Sequence, residues 1–260
     1  MMLDEIHSLM DALKLRHARA AVAEQLKAAQ KQKTSYSAFL LELLRREHEG
    51  QRDRAIARRL KRSGLQEYWT LETFPFHVQK CVDKRHIDEL AELDFIDRGQ
   101  SLVIIGQPAV GKSGLASGIM MKALYAGRRC QAIRADELFE ELGNSHADRS
   151  TRRRLQRLAR LDLLLIEEFG FISPLEPRQV NAFFRLMDDR CNRKSTIIVT
   201  NLGFEEWGKF LGGSALVAAL VSRLLQNCKT IVFPKQALKL RNPEFRLPTR
   251  AQRPAILDAA

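Results

Sequence analysis

One segment of the chain combines glycines, a lysine and a hydroxyl residue at a spacing that could hold phosphate: Gly106-Gln-Pro-Ala-Val-Gly111-Lys112-Ser113. In such a loop the glycines let backbone N–H groups close around a β-phosphate. Lys112 then reaches the β- and γ-phosphate oxygens, and the Ser113 hydroxyl ligates Mg²⁺. The sequence therefore predicts a phosphate-binding loop whose contacts come from Gly106, Pro108, Ala109, Val110, Gly111, Lys112, Ser113 and Gly114.

The residues on either side supply the elements that such a loop needs. The apolar run Leu102-Val-Ile-Ile105 precedes the loop and predicts a strand, and the segment 114–124 after it is compatible with a helix. A helix that begins at the loop points its N–H groups and the positive end of its dipole at a bound anion. An ordinary Gly/Pro turn is the competing interpretation, and the flanking strand and helix favour the phosphate loop.

A pair of acids supplies the second chemical element. The run Leu161-Asp-Leu-Leu-Leu-Ile166 predicts a buried strand, and Glu167-Glu168 follow it, which would place both carboxylates beside the loop at the carboxyl edge of a sheet. We expect Glu167 to hold Mg²⁺ and Glu168 to orient the attacking water. Asp is usual at the first position, so Glu167 predicts slow hydrolysis. A surface turn with two glutamates is the alternative.

Two further polar residues are candidates for the same chemistry. Asn201 follows the β-branched run Ser195-Thr-Ile-Ile-Val-Thr200 and could sense the γ-phosphate or the water, or simply cap the next helix. Arg223 lies within an apolar helical segment and could enter the ATP site of a neighbouring subunit, where an arginine stabilises transition-state charge. A structural ion pair is the alternative for Arg223.

The chain divides by pattern into two parts. Residues 1–68 show apolar residues at helical spacing, with Thr34 or Ser35 placed to cap a helix, so we expect a helical N-terminal domain. Residues 63–76 break the pattern and predict a linker into a domain over 69–260. Strands and helices alternate there, which indicates a parallel sheet covered on both faces. The predicted strands are 102–105, 129–133, 161–166, 196–200 and 229–233. The predicted helices are 112–126, 136–142, 150–159, 176–192 and 214–226.

Charge points to an anionic partner. The 260 residues include 43 Lys and Arg against 31 Asp and Glu, a net charge of +12, which favours nucleic acid first and a membrane surface second. The four cysteines lack metal-ligand spacing, and the sequence has neither an export signal nor a run of 18 apolar residues. We therefore expect a cytoplasmic protein, without a membrane partner, that associates with the nucleoid when it is on DNA.

Basic residues concentrate in two helical segments and in a tail. Six arginines and no acid lie between 149 and 160, where Arg153, Arg157 and Arg160 would share one helix face. A solvated basic helix, or one that binds a neighbouring subunit, remains an alternative, and the basic tail 229–253 adds nonspecific contacts or is disordered. The residues predicted to contact DNA phosphates are Arg52, Arg58, Arg59, Arg149, Arg152, Arg153, Arg154 and Arg157.

In the order and spacing of these elements, the chain resembles an AAA+ ATPase, and more closely the IstB-like helper ATPases of insertion-sequence transposition, relatives of DnaC helicase loaders and DnaA initiators. The resemblance covers nearly the whole chain, from Arg52-Asp-Arg54 through Leu163-Leu-Leu-Ile-Glu-Glu-Phe-Gly170 and Val199-Thr-Asn-Leu202. It extends to Ser222-Arg223-Leu224 and Glu244-Phe-Arg246. It implies a P-loop α/β fold with a five-stranded parallel sheet in the order 5-1-4-3-2.

The resemblance also implies a task and partners. The expected cofactors are ATP and Mg²⁺, and the expected protein forms an ATP-dependent homo-oligomer on double-stranded target DNA. There it would recruit or stimulate a partner transposase of the IstA type. Two alternatives stay open: a replicative helicase loader of the DnaC type, and a DNA-coating scaffold that binds ATP and scarcely hydrolyses it.

Overall fold

A computed structural model describes residues 2–144, 149–171, 175–213, 215–240 and 254–257. The chain forms two compact units, one of Met1–Arg58 with Ala255–Ala260 and one of Arg59–Pro254. The division falls inside a long helix, and a short 3-10 helix, Ala255–Leu257, lies in the first unit. The boundary that the sequence predicts, between residues 68 and 69, falls beyond this division and stays a prediction.

The first unit is helical, as the sequence predicts. Its helices are α1 (Met2–Ala12), α2 (Arg16–Gln32) and α3 (Tyr36–Arg62). Ser35 caps α3, because its hydroxyl accepts a hydrogen bond from the Ala38 N–H at 3.3 Å. The buried Glu47 carboxylate of α3 accepts from the N–H groups of His17 and Ala18 at 2.8 and 2.9 Å, so it caps α2 from a distance.

A five-stranded parallel sheet forms the second unit. Its strands are β1 (Ser101–Ile105), β2 (Cys130–Arg134), β3 (Leu163–Phe169), β4 (Ser195–Thr200) and β5 (Cys228–Val232). Every neighbouring pair is parallel, and the order is β2-β3-β4-β1-β5. Apolar side chains are buried on both faces of the central strands, which explains their continuous apolar runs. The observed order confirms the predicted one.

Helices cover this sheet and complete its core. They are α4 (Lys84–Ala91), α5 (Asp94–Asp97), α6 (Lys112–Tyr125), α7 (Ala135–Gly143), α8 (Arg149–Ala159), α9 (Pro177–Arg190), α10 (Phe204–Phe210) and α11 (Ala215–Gln226). The sequence analysis did not predict α4, α5 or α10. Aromatic rings join several of these elements: Phe169 of β3 lies within 6.2 Å, between ring centroids, of Phe139, Phe183, Trp207 and Phe210.

The segment predicted as a linker, 63–76, lies within the second unit and has fixed contacts with its sheet and with α6. The Ser63 carbonyl accepts a hydrogen bond from the Ala132 N–H on the edge strand β2 at 2.6 Å. Further along, the Ser117 hydroxyl of α6 donates to the Glu67 carbonyl at 2.7 Å and accepts from the Trp69 N–H at 3.3 Å. These bonds bring the aromatic residues of the segment to the amino end of α6.

Candidate functional site

The phosphate loop joins the carboxyl end of β1 to the amino end of α6, as the sequence predicts. Helix α6 begins at Lys112, and Gly111 before it has a φ of 101°. Ala109 also adopts a left-handed conformation, with a φ of 67°. These backbone angles turn the chain tightly between strand and helix, and they leave the first N–H groups of α6 free to bind an anion.

Gly111 is required by space as well as by conformation. A Cβ atom built there would lie 2.7 Å from Leu240 Cδ1 and 3.2 Å from a ring carbon of Phe74. Two apolar side chains that lie far from the loop in the sequence therefore pack against it at Gly111. Val110, also predicted to contact phosphate, is buried, and its Cγ2 would lie 3.3 Å from a Cβ atom built at Gly106.

Lys112 is buried, with 8% of its surface exposed. Its ammonium donates to the Gln107 carbonyl of the same loop at 2.8 Å. Burial removes water from the charged form and lowers the pKa of Lys112 to about 8. A phosphate beside this ammonium would favour the charged form, so the site is electrostatically suited to an anion.

Glu167 and Glu168 lie within β3 rather than after it, because that strand continues to Phe169. Consecutive side chains of a regular strand point to opposite faces. Here the pairing of β3 with β4 shifts register between Ile166 and Phe169, and Glu168 has a φ of 57°. This bulge allows both carboxylates to reach the side of the sheet that carries the phosphate loop.

The two acids have different surroundings. Burial raises the pKa of Glu167 to about 7, and the charges of Glu168 and Glu67 act in the same direction. A hydrogen bond with Ser113 and the charge of Arg134 oppose this rise. Glu168 is exposed, and its carboxylate forms an ion pair with the Arg134 guanidinium of β2 at 2.7 Å.

Asn201 follows the carboxyl end of β4, as predicted. Its Oδ1 atom is buried and has no hydrogen-bond partner among the residues that the structure describes. The preceding residue, Thr200, was not singled out from the sequence. Its hydroxyl donates to the Phe169 carbonyl at 2.7 Å and accepts from the Leu202 N–H at 3.0 Å, which fixes the end of β4 against β3.

These elements surround a cavity of about 380 Å³. The predicted residues that line it are Pro108, Ala109, Gly111, Lys112, Ser113, Gly114 and Glu168. Five other predicted residues do not line the cavity: Gly106, Val110, Glu167, Asn201 and Arg223. Of these, Glu167 is connected to the cavity through the Ser113 hydroxyl. One wall of the cavity is apolar and was missed: its residues are Trp69, Phe74, Pro75, Phe171 and Leu240. Their positions in the sequence give no periodic signal, because three separate segments supply them.

The residues present fit a nucleotide with Mg²⁺. The Ser113 hydroxyl is hydrogen-bonded to the Glu167 carboxylate, and together they offer the oxygen ligands that Mg²⁺ prefers. Among the described residues, no group of three or more His, Cys, Asp or Glu could hold a metal ion. Phosphate oxygens and water would therefore complete the coordination, which is common for Mg²⁺ at phosphate sites.

Comparison with known proteins identifies the family. The family model described as IstB-like ATP binding protein matches residues 8–244. The chain belongs to this family. This IstB-like chain is 32% identical to the ATP-binding protein of insertion sequence IS21 from Pseudomonas aeruginosa, covering 91% of this chain and 89% of that one. It is 33% identical to the ATP-binding protein of IS5376 from Geobacillus stearothermophilus, covering 84% and 86%.

Solved structures share the fold of the IstB-like chain at low sequence identity. The DnaC helicase loader matches with a TM-score of 0.50 at 20% identity, over 58% of this chain and 88% of that one. AMPPCP-bound DnaA from Aquifex aeolicus matches with a TM-score of 0.52 at 22% identity, over 75% and 60%. The fold is therefore of the AAA+ type. No helix in the described ranges has the length and apolar character needed to cross a membrane.

In the IstB-like chain, Arg223 lies on α11 and is 62% exposed at its side chain. Its guanidinium forms an ion pair with the Asp188 carboxylate of α9, which is equally exposed. The structural ion pair considered for this residue is thus present. Glu244-Phe-Arg246 lies outside the described residues, as does the tail from 241 to 253.

The predicted DNA-binding arginines whose side chains the structure describes fall into three groups, and Arg160, predicted only to share a helix face with two of them, lies with the first group. Arg153, Arg157 and Arg160 line one groove with Arg129, which confirms their predicted common face. We call this the arginine groove. Two others are engaged: Arg154 binds Glu141 at 3.2 Å and Gln131 at 3.0 Å, and Arg59 donates to the Leu124 carbonyl at 3.0 Å. The exposed ones outside the groove are Arg52, Arg58 and Arg152, and the side chain of Arg149 lies outside the described residues.

Proposed function

We propose that this IstB-like chain binds and hydrolyses ATP and uses the nucleotide to assemble on target DNA beside a partner transposase. The observation that carries the first part is the buried Lys112 in a loop that turns into the amino end of α6. Family membership supports the same assignment, because the family is described by ATP binding. Relatives are named as ATP-binding proteins of insertion sequences, which supports a role in transposition.

The residues of the site divide the work of phosphoryl transfer. Lys112 and the N–H groups at the start of α6 hold the phosphates, which neutralises charge as it develops. Ser113 and Glu167 hold Mg²⁺, which when bound polarises the phosphate oxygens. Glu168 orients a water molecule for attack and takes its proton. Asn201, whose buried Oδ1 has no partner among the described residues, would sense the γ-phosphate or the water only after its side chain turns toward the cavity.

In the conformation that the structure describes, Glu168 is not free to orient water. Its carboxylate is bound to Arg134, so the orientation of water requires that this ion pair open. This observation favours a second candidate function, a DNA-coating scaffold that binds ATP and hydrolyses it slowly. The two candidates differ in the rate of phosphate release on DNA.

We propose that duplex DNA is held by the arginine groove and by Arg152 of the second unit, and that Arg52 and Arg58 of the first unit are separate candidate contacts. Three arginines of this groove, Arg153, Arg157 and Arg160, can contact adjacent phosphates of a nucleic acid backbone without reading bases, whereas Arg129 is paired with Asp162. The helical region 1–68 is the proposed second contact with DNA or with the partner. Exposed apolar side chains on its helices, such as Leu9, Leu40 and Leu44, are available for a protein partner.

The primary test measures nucleotide binding and steady-state phosphate release with and without duplex DNA. We expect the wild-type chain to bind ATP, Lys112→Ala to lose binding, and DNA to stimulate turnover. Lys122→Ala is the matched control, because Lys122 lies on the same helix and is paired with Glu72 on the surface. Binding by Lys112→Ala equal to that of the control would reject the assigned site. Nucleotide binding with no DNA-stimulated release would favour the scaffold.

A second test identifies the partner. The full chain with AMPPCP and duplex DNA is incubated with an IstA-type transposase or with a replicative helicase, and complexes are separated by size. Retention of the transposase supports the proposal. Retention of the helicase alone would support the loader function instead.

A further inference from the structure

Gln79 is a polar side chain in the interior of the second unit, with only 2% of its surface exposed. Its Nε2 donates to the Val110 carbonyl at 2.7 Å and to the Leu238 carbonyl at 3.0 Å. Its Oε1 accepts from the Cys81 thiol at 3.2 Å. Backbone carbonyls only accept hydrogen bonds, so the orientation of this amide follows from its partners. Both N–H groups of the amide are used, one on the phosphate loop and one on the chain after β5.

The bond to Val110 sets the direction of a loop N–H group. The chain contains no cis peptide among its described residues, and in a trans peptide the C=O and the following N–H point in opposite directions. Gln79 holds the Val110 carbonyl at the back of the loop. The N–H of Gly111, in the same peptide plane, is therefore directed away from Gln79.

A second bond sets the adjacent peptide plane in the same way. The Leu240 N–H donates to the Ala109 carbonyl at 2.8 Å, so the Val110 N–H points away from Leu240. The Leu240 side chain is buried and lies with Phe74 beside Gly111, where both also line the cavity. Two consecutive peptides of the loop are thus each fixed by a hydrogen bond to the carbonyl, one from the Gln79 side chain and one from the Leu240 N–H.

We propose that Gln79 is a positioning residue of the nucleotide site, which aims the loop N–H groups and fixes the segment Leu238–Leu240 to the loop. The inference rests on the proposed binding of ATP. It adds that nucleotide binding and the ordering of this segment are coupled. Because such coupling is reciprocal, a nucleotide that fixes the loop also stabilises the segment, and loss of the Gln79 amide weakens nucleotide binding.

The variant that tests the inference is Gln79→Met, which keeps a side chain of similar length and removes both donors. Calorimetric titration with Mg²⁺ and AMPPCP measures affinity, and thermal unfolding without nucleotide measures stability. We expect the Kd of the variant to rise about tenfold or more, since the Val110 carbonyl of the loop and the Leu238 carbonyl of the segment after β5 both lose their donor. Gln236→Met is the matched control, on the exposed part of the same segment, and should stay within about twofold of wild type.

A measurement on the wild-type chain keeps the inference testable if Gln79→Met does not fold. Hydrogen exchange at the Leu240 N–H should slow when AMPPCP is bound, because this N–H donates to the loop. Unchanged exchange at Leu240 with nucleotide bound would overturn the inference, as would unchanged affinity in folded Gln79→Met. A wild-type chain that binds no AMPPCP would reject the proposed function, and the inference with it.

Discussion

At the residue scale, the site depends on side chains whose partners are as important as their own chemistry. Ser113 links the phosphate loop to Glu167 by a hydrogen bond, while Arg134 forms an ion pair with Glu168. The residue types and spacing of the loop were sufficient to predict Lys112 and Ser113. Nothing in the sequence indicated that Arg134, at the end of a different strand, would contact an acid of β3.

The first prediction concerns Arg134. In Arg134→Ala, Glu168 loses its ion-pair partner and is free to orient water, so basal phosphate release without DNA should rise several-fold. Both side chains are nearly half exposed, so the change should cost less than about 1 kcal/mol of stability. Phosphate release and thermal unfolding measure the two effects. A basal rate at or below that of wild type would contradict the inhibitory role of the pair.

At the element scale, the amino edge of the sheet is held by buried and half-buried charges. The Arg190 guanidinium, 1% exposed, donates to the Thr196 hydroxyl at 3.0 Å and to the carbonyls of Leu158 and Leu161 at 2.7 and 3.0 Å. It also donates to the Ser195 carbonyl. It therefore connects the carboxyl ends of α8 and α9 to the amino end of β4. Desolvation lowers its pKa to about 10, which leaves it charged at neutral pH.

The second prediction concerns this anchor. Arg190→Ala removes the donor from several buried acceptors at once and should lower the free energy of unfolding by about 3 kcal/mol or more. Urea unfolding measures the loss. Arg185→Ala, at an exposed position of the same helix, is the control and should change stability by less than about 0.5 kcal/mol. Equal stability of the two variants would show that Arg190 is not an anchor.

The third prediction uses Asp162, which precedes β3 and binds Arg129 and Lys194 at 3.0 and 2.7 Å. Burial alone would raise the pKa of Asp162, but hydrogen bonds from Arg129 and Lys194 outweigh it and hold the pKa well below its usual value. A carboxyl with a depressed folded-state pKa stabilises the fold above its unfolded-state pKa. That stabilisation is lost as the pH falls toward the folded-state value.

Asp162→Asn should therefore be less stable than wild type by about 1–3 kcal/mol at pH 7. The deficit should be the same at pH 5 and should shrink below about pH 4. Urea unfolding over this pH range measures it, with the exposed Asp189→Asn as control. A deficit that grows on acidification would contradict the assigned sign.

At the scale of the whole molecule, no arginine among the described residues lines the cavity of the nucleotide site. Arg223 is exposed on α11 and paired with Asp188, so it is available to a second copy once that ion pair opens. We propose that a second copy of the chain places its Arg223 at this cavity. Such an arginine contributes about 10³–10⁵ in rate to enzymes that use one.

The fourth prediction tests this arrangement by complementation. Arg223→Ala should bind ATP and lose DNA-stimulated turnover, and Lys112→Ala should lose turnover because it binds no ATP. A random one-to-one mixture should recover turnover at about a quarter of the interfaces, where an intact loop meets an intact Arg223. Phosphate release from the mixture measures it. Wild-type turnover by Arg223→Ala alone, or no recovery by variants that still assemble, would reject action between chains.

Much of the second unit follows from the sequence, because buried parallel strands read as apolar runs and α6 begins at a glycine-rich loop. The predicted strands agree with β1–β5 to within a few residues. Short elements such as α5 were missed, since four residues carry no periodic pattern. The apolar wall of Trp69, Phe74 and Leu240 was missed because only the folded chain brings these segments together.

The two proposed anion sites lie at opposite ends of the strands, and this placement would have an electrostatic consequence. Arg129 and Leu161 precede β2 and β3, whereas the phosphate loop follows β1, whose five residues span about 17 Å. The Debye length in physiological salt is about 8 Å. Polyanion and nucleotide therefore do not compete for the same cations, and direct charge repulsion between them is largely screened. An effect of DNA binding on nucleotide binding would therefore depend on changes in the conformation of the strands and of the side chains that connect the two sites.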